Sequence, residues 1–172
     1  VAPNTIDTNF YKNNKSFVDR NFIKLKEKYK LNNIKNKFLC IGRMIDAKRQ
    51  VAVINAWKLS KLDKKNSRLI IVGTGLNFKK IKDHVNQDES ILLIGHVPWG
   101  FDYVWLSICD YTAFGGAIGL ACQQAFLMKS LVIAPYEDSS DSEFLINNLN
   151  SILYKKENIN DLSKIFEKVI DS

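Results

Sequence analysis

The chain has 172 residues, 46% of them hydrophobic, and carries a net charge of +7. That length and apolar content describe one packed domain, and no apolar run approaches the roughly 18–20 residues that a membrane-spanning helix needs. The charge is lopsided, with 20 Lys and Arg against 6 Asp and Glu in residues 1–86 and 5 against 12 in residues 87–172. A basic half suits phosphate-bearing ligands, nucleic acid or an anionic membrane surface. Lys24, Lys26, Lys28 and Lys30 recur within one amphipathic segment, however, and read equally well as a solvated face.

Val1-Ala2-Pro3-Asn4 has neither the basic nor the apolar segment of a secretory signal and reads as the interior of a longer protein, with Val1–Pro3 as a minor strand. Asp19–Leu31 is amphipathic, with Phe22, Leu25 and Tyr29 at helical spacing. A strand is predicted at Lys37–Ile41, then a helix at Lys48–Leu62 whose Ala52, Val53, Ala56, Trp57 and Leu59 form one stripe. Strand Leu69–Val72, helix Leu76–Val85, strand Ile91–Ile94 and helix Phe101–Ile108 follow. Strand Tyr111–Phe114, helix Leu120–Lys129 and strand Leu131–Ala134 come next, and an edge strand at Ile152–Tyr154 and a helix at Asn160–Ile170 close the chain. The strands are short and apolar on both faces, as in a parallel sheet covered by helices. One doubly wound, Rossmann-like α/β domain is the expected architecture.

The cysteines, Cys40, Cys109 and Cys122, are each flanked by apolar residues. They are expected to be reduced, buried thiols in a cytoplasmic setting rather than nucleophiles.

Ligands of such sheets sit beyond the carboxyl ends of the strands, so the loops there hold the candidates. In Ile41-Gly42-Arg43-Met44-Ile45-Asp46-Ala47-Lys48, Gly42 permits a sharp exit, Arg43 can fork onto phosphate oxygens, and Lys48 adds a point charge. Lys48 and Arg49 at a helix N-terminus oppose the macrodipole unless an anion answers them; otherwise they extend to solvent or pair with Asp46. Gly73-Thr74-Gly75 is a fragment of a dinucleotide fingerprint, better read as a tight turn bringing backbone near a ligand. In Gly95-His96-Val97-Pro98, His96 is a ligand, a general base or a hydrogen-bonding surface residue. Phe114-Gly115-Gly116-Ala117-Ile118-Gly119 leads into a helix that is apolar nearly all round and therefore expected to be buried. No Ser, Thr, Asp or Asn caps it, so its bare amides suit an anion or a hydroxyl. Gln123 and Gln124 interrupt its apolar surface and need partners, with backbone the expected one and ribose hydroxyls the alternative.

In chain order these segments resemble the C-terminal donor-binding domain of GT-B retaining glycosyltransferases of the family-4 type. Val1-Ala2-Pro3-Asn4-Thr5-Ile6-Asp7 is similar to that family's vxPNGvD, and Phe22–Leu31 to its lrekygl stretch. Cys40-Ile41-Gly42-Arg43 with Lys48 is similar to vGRlxxxKg, with Arg49 replacing glycine. Leu69–Gly75 matches lxivGxGp, Ile94-Gly95-His96-Val97 matches flGxv, and Gly116–Ala134 aligns with EGFGlxxlEAmaxGxPVia.

The resemblance implies one half of a GT-B fold across residues 1–172, with the acceptor-binding N-terminal domain lying outside this chain. It implies a nucleotide-diphosphate sugar donor, transfer to a glycan or lipid of the kind found in polysaccharide biosynthesis, and no metal. Arg43 and Lys48 would hold the donor diphosphate and stabilise the leaving nucleotide. Gly42 and Gly75 would border the donor, Gly95, His96 and Val97 would sit against the base, and Gly116, Ala117, Ile118, Gly119 and Leu120 would offer amides to sugar and phosphate. Gln124 would meet the ribose. The family's Glu-x7-Glu is here Gly116-x7-Gln124, and the Ser before that motif is absent, which opens the alternative of a non-catalytic binding or scaffold domain. The isolated domain is expected to bind donor weakly and transfer nothing. A sugar-nucleotide epimerase half is a further alternative. Nucleic acid is not an expected partner, because the basic half lacks an interleaved aromatic platform; peripheral contact with an anionic membrane is.

Overall fold

The computed structural model of the chain describes residues 5–136 and 143–170. The expected strand at Val1–Pro3 lies outside them. In chain order the elements are α1 (Thr8–Asn13), α2 (Lys15–Lys28), β1 (Asn36–Ile41), a single 3-10 turn (Asp46–Lys48), α3 (Gln50–Leu59), β2 (Ser67–Val72), α4 (Phe78–Val85) and β3 (Ile91–Gly95). Then come α5 (Phe101–Ile108), β4 (Tyr111–Ala113), α6 (Leu120–Leu127), β5 (Leu131–Pro135), β6 (Ser151–Tyr154) and α7 (Ile159–Lys168). The strands form one six-stranded sheet in the order β3-β2-β1-β4-β5-β6. Every pairing is parallel. This is the doubly wound Rossmann-like fold that the strand pattern predicts, and Ile152–Tyr154 belongs to the edge strand β6.

Side chains alternate across each strand, so the sheet has two apolar faces. Phe38, Cys40, Leu69 and Ile71 join Trp57, Ile81 and Phe166 in one core cluster, under α3, α4 and α7. Leu39, Ile70 and Val72 face the other way and join Val18, Trp105, Leu106 and Cys122, under α2, α5 and α6. Burial on both faces explains why these strands read as unbroken apolar runs.

The helix boundaries show where local chemistry overrides periodicity. α1 is not visible as an apolar stripe; it is set by Asp7, whose Oδ1 accepts the Asn9 amide at 2.8 Å. It ends at Asn14 and α2 follows at once, four residues earlier than the Asp19 start expected from Phe22, Leu25 and Tyr29. α2 stops at Lys28 because Lys30 turns into the left-handed region, at φ 54°. α3 stops at Leu59 rather than Leu62 because Ser60 becomes extended and its Oγ donates to the Trp57 carbonyl at 2.7 Å.

Lys64 closes that helix end from outside, donating from Nζ to the Trp57 carbonyl at 2.6 Å while lying 4.1 Å from the Trp57 ring centroid. Burial pulls its pKa from 10.5 down to about 8, opposed in part by the charges of Asp88 and Glu167. Between those two values Lys64 is protonated in the unfolded chain and not in the folded one, so this group's contribution to stability grows with pH, whereas the three buried thiols pull the other way above about pH 9. The thiols act equally on the wild type and Lys64→Met, so the urea midpoint of the wild type relative to that variant is expected to rise from about pH 8 to about pH 10.5. A difference between the two midpoints that stays constant across the interval would assign the effect to another group.

Candidate functional site

The sheet changes direction between β1 and β4. From β1 the chain proceeds outward to β2 and β3, and from β4 it proceeds the other way to β5 and β6. Loops leaving the carboxyl ends of two such strands diverge and border a crevice, which is where open α/β sheets bind ligands. Here the two loops are tied together. The Ala117 amide donates to the Ala47 carbonyl at 2.9 Å, and Lys48 Nζ donates to the Ala117 carbonyl at 2.7 Å. Glycine is what allows this approach. A Cβ on Gly115 would overlap the Arg49 carbonyl oxygen, and one on Gly116 would overlap that of Ala47.

Lys48 does not open α3. It ends the 3-10 turn, Arg49 adopts the left-handed conformation at φ 49°, and α3 begins at Gln50. Both cations still stand at the α3 start, Arg49 as its N-cap, and each side chain is held by a partner elsewhere. Neither cation pairs with Asp46, whose Oδ1 instead accepts from Asn77 Nδ2 at 2.8 Å. Arg49 bonds Glu157 and holds that carboxyl below the usual carboxylate range. Lys48 Nζ reaches across to α6, 3.1 Å from where a Cβ on Gly119 would stand. Gly119 is the N-cap of α6, at φ 63°, and among the described residues no side chain caps the helix. An ammonium is thus held at the positive end of a helix whose own N-cap offers no side-chain acceptor. Both features favour an anion between them.

Gly42 leaves β1 at φ 146° with open space around its α-carbon. Arg43 is exposed beside it, and its carbonyl accepts from the buried Gln50 Nε2 at 2.9 Å. Met44 is fully buried, donating its amide to the Thr74 carbonyl at 2.8 Å and accepting the Asn77 amide at 3.0 Å. A Cβ on Gly75 would lie 2.5 Å from the Met44 carbonyl oxygen, and one on Gly73 would overlap that of Gly42. The close approach that Gly73 and Gly75 permit is therefore to the neighbouring loop. The β2 loop supports the β1 loop from behind.

His96 is exposed just past β3, while Val97 is half-buried against the core on the α5 side. Gly95 turns there at φ 80°, and its carbonyl accepts the Gly73 amide at 2.8 Å. These residues share the rim with Arg43 and Lys48, two strands from β1. The three cysteines are buried and free, as expected. Burial pushes the Cys40 and Cys122 thiols up to about 12 and raises that of Cys109 as well, so none is a nucleophile near neutrality.

α6 departs from expectation in two ways. Only Cys122 and Ala125 are buried, and Leu120 is 44% exposed, so its apolar surface faces the rim as well as the core. Ile118 is buried beneath the loop. Gln124 finds a carboxylate rather than backbone, donating from Nε2 to Asp102 Oδ2 at 2.6 Å. Asp102, in the first turn of α5, was not among the residues expected from sequence. Its place two residues after Gly100 in Pro98-Trp99-Gly100-Phe101-Asp102 is an ordinary helix-start signal that says nothing of a partner on another helix.

Among the described residues no group of three or more His, Cys, Asp and Glu is arranged to hold a metal ion, and no helix is long and apolar enough to cross a membrane.

A family model described as "Glycosyl transferases group 1" matches residues 21–172. Solved structures share the fold. The C-terminal domain of the group 1 glycosyl transferase LpcC from Francisella tularensis superposes with a TM-score of 0.71 at 19% identity, over 86% of this chain and 82% of that domain. HepE from Anabaena, solved with UDP-glucose, gives 0.73 at 18% identity over 87% of this chain. TarM from S. aureus, solved in a complex that includes UDP, gives 0.73 at 21% identity over 81% of this chain. The chain spans only 43% of the length of HepE and 29% of that of TarM. No curated protein sequence matches it significantly.

Proposed function

The chain belongs to the group 1 glycosyl transferase family, and from that premise we propose that it is the donor half of a GT-B enzyme. On this proposal it binds a nucleotide-diphosphate sugar for retaining transfer to a glycan or lipid. The observation that carries the proposal is Lys48 Nζ held against the Gly115–Gly119 loop at the start of α6, where the N-cap Gly119 has no side chain to offer. A diphosphate seated there meets an ammonium and the amides that open the helix, and Arg43 on the adjoining loop supplies a guanidinium. As the glycosidic bond breaks, negative charge grows on the departing nucleotide, and these fixed donors stabilise it where it develops.

The remaining roles are those the family resemblance suggests. Gly42 borders the diphosphate while Gly75 braces the Gly42–Met44 loop from behind, His96 and Val97 face the base, Gly116, Ile118, Gly119 and Leu120 line the sugar side, and Gln124 meets a ribose hydroxyl. Lys48, Arg43 and the α6 amides answer the diphosphate charge without a metal ion. The acceptor is bound by a domain outside this chain, which supplies the remaining catalytic groups; alone, the domain binds donor and does not transfer it.

The proposal is tested by thermal shift with UDP, UDP-glucose and GDP-mannose. Saturation to a hundred times the dissociation constant adds about 2.7 kcal/mol, which for a domain of this size is roughly 5–10 °C in Tm. Arg43→Ala should remove most of the shift while leaving the Tm of the unliganded protein within about 2 °C, because Arg43 is an exposed surface position. If no nucleotide shifts the wild type, the proposal fails.

A further inference from the structure

Gln124 lies roughly one turn of α6, about 6 Å, beyond the helix start that Lys48 flanks. An amide side chain has two ends, a double donor and an acceptor, and which end faces outward decides what it can recognise. In this chain Asp102 makes the choice. A carboxylate only accepts, so the end of Gln124 at 2.6 Å from Asp102 Oδ2 must be the NH2 group. Turning the amide over would set two acceptor oxygens against each other at that distance. The second oxygen, Oδ1, is buried and has no partner among the described residues, so the carboxylate has no competing donor there to release its hold on Gln124.

We propose that Asp102 is a positioning residue that locks Gln124 with its carbonyl oxygen outward, so that Gln124 serves as an obligate acceptor for a hydroxyl of the bound nucleotide's ribose. This rests on the reading of the crevice as a nucleoside diphosphate site. An amide pinned in this way offers the same outward group as a carboxylate, namely an acceptor, without a negative charge beside the diphosphate. The carboxylate itself belongs to the neighbouring helix α5. The pair therefore moves the charge away from the anion while keeping the acceptor.

The test compares UDP with 2′-deoxy-UDP and 3′-deoxy-UDP by titration calorimetry on the 172-residue chain. UDP carries no sugar beyond the ribose, so any discrimination is read from the ribose alone. The wild type is expected to bind one of the deoxy nucleotides about 10-fold more weakly than UDP, as for one lost hydrogen bond to a neutral acceptor. Asp102→Ala frees the amide to rotate and should bring that ratio to about two or less by weakening UDP itself. The exchange Asp102→Asn with Gln124→Glu reverses donor and acceptor across the pair and should restore most of the discrimination, which a merely structural tie between α5 and α6 would not predict. If the exchange variant fails to fold, the ratio in Asp102→Ala still decides. UDP binding with equal affinity for all three nucleotides overturns this proposal alone, as does full discrimination retained in Asp102→Ala. Failure of the wild type to bind UDP or any other nucleoside diphosphate overturns the parent reading and this proposal with it.

Discussion

Replacing Lys48 with alanine is expected to weaken UDP binding by at least about 100-fold, the loss of roughly 2.7 kcal/mol that a charge-assisted contact to phosphate commonly supplies. Two effects act together. The ammonium is removed from the anion site, and the hydrogen bond that ties the Lys48 side chain to the Ala117 carbonyl goes with it, so the glycine loop loses one of the two fastenings seen among the described residues. The other, from the Ala117 amide to Ala47, remains, and the unliganded protein should unfold within a few degrees of the wild type. Lys48→Arg is expected not to rescue binding. A guanidinium is broader and flatter than an ammonium, and Lys48 Nζ already stands 3.1 Å from the space a single methyl on Gly119 would take. Calorimetric titration with UDP measures both variants. A Kd for Lys48→Ala within threefold of the wild type would remove the central cation from the proposed site.

The second large effect concerns Gly116, where the resemblance leads one to expect a glutamate. Installing that residue as Gly116→Glu should lower the Tm by about 5–10 °C, corresponding to roughly 2–3 kcal/mol of overpacking. The obstruction is backbone. A Cβ at this position overlaps the Ala47 carbonyl oxygen, which also accepts the Ala117 amide, and stands 3.2 Å from Cγ and Cδ of Arg49. Arg49 occupies the place of the family's glycine, in the left-handed conformation that glycine adopts without strain. The two departures are thus complementary: a side chain gained at 49 covers the space left by one lost at 116. Combining Arg49→Gly with Gly116→Glu should recover about half of the lost stability, since it relieves the Arg49 contacts and leaves the Ala47 overlap. The pair Arg49–Glu157 is exposed, and its loss costs little. Differential scanning calorimetry on the two single variants and the double variant tests the coupling, and strictly additive effects would refute it.

These residues also mark how far sequence reasoning reaches. Strand identities were legible because a strand buried on both faces reads as an unbroken apolar run, as in Leu69–Val72 and Leu131–Ala134; the order of the strands in the sheet was not. The meeting of Lys48 with the Gly115–Gly119 run was anticipated, because open sheets bring such strand-end loops together at one edge. The role of Gly115, Gly116, Gly73 and Gly75 was not, since a glycine kept for a ligand and one kept for a neighbouring loop look alike until the loops are side by side. α1 was missed because six residues cannot show a period. The Asp102–Gln124 and Arg49–Glu157 contacts were missed for a common reason. Each joins elements separated by 22 and 108 positions, and a hydrogen bond across such a gap leaves no local pattern.

The central place of β1 has a consequence for the growing polypeptide. One edge of β1 is matched by β2, but the other is matched only when residues 111–113 arrive, some seventy positions later. Until then a nascent chain presents a bare strand rich in Phe38, Leu39 and Ile41 to whatever it meets, the kind of edge that invites association with other unfinished chains. A fragment ending before β4, whether made by a stalled ribosome or a protease, has Lys48 but nothing for it to hold, and is expected to clump rather than bind.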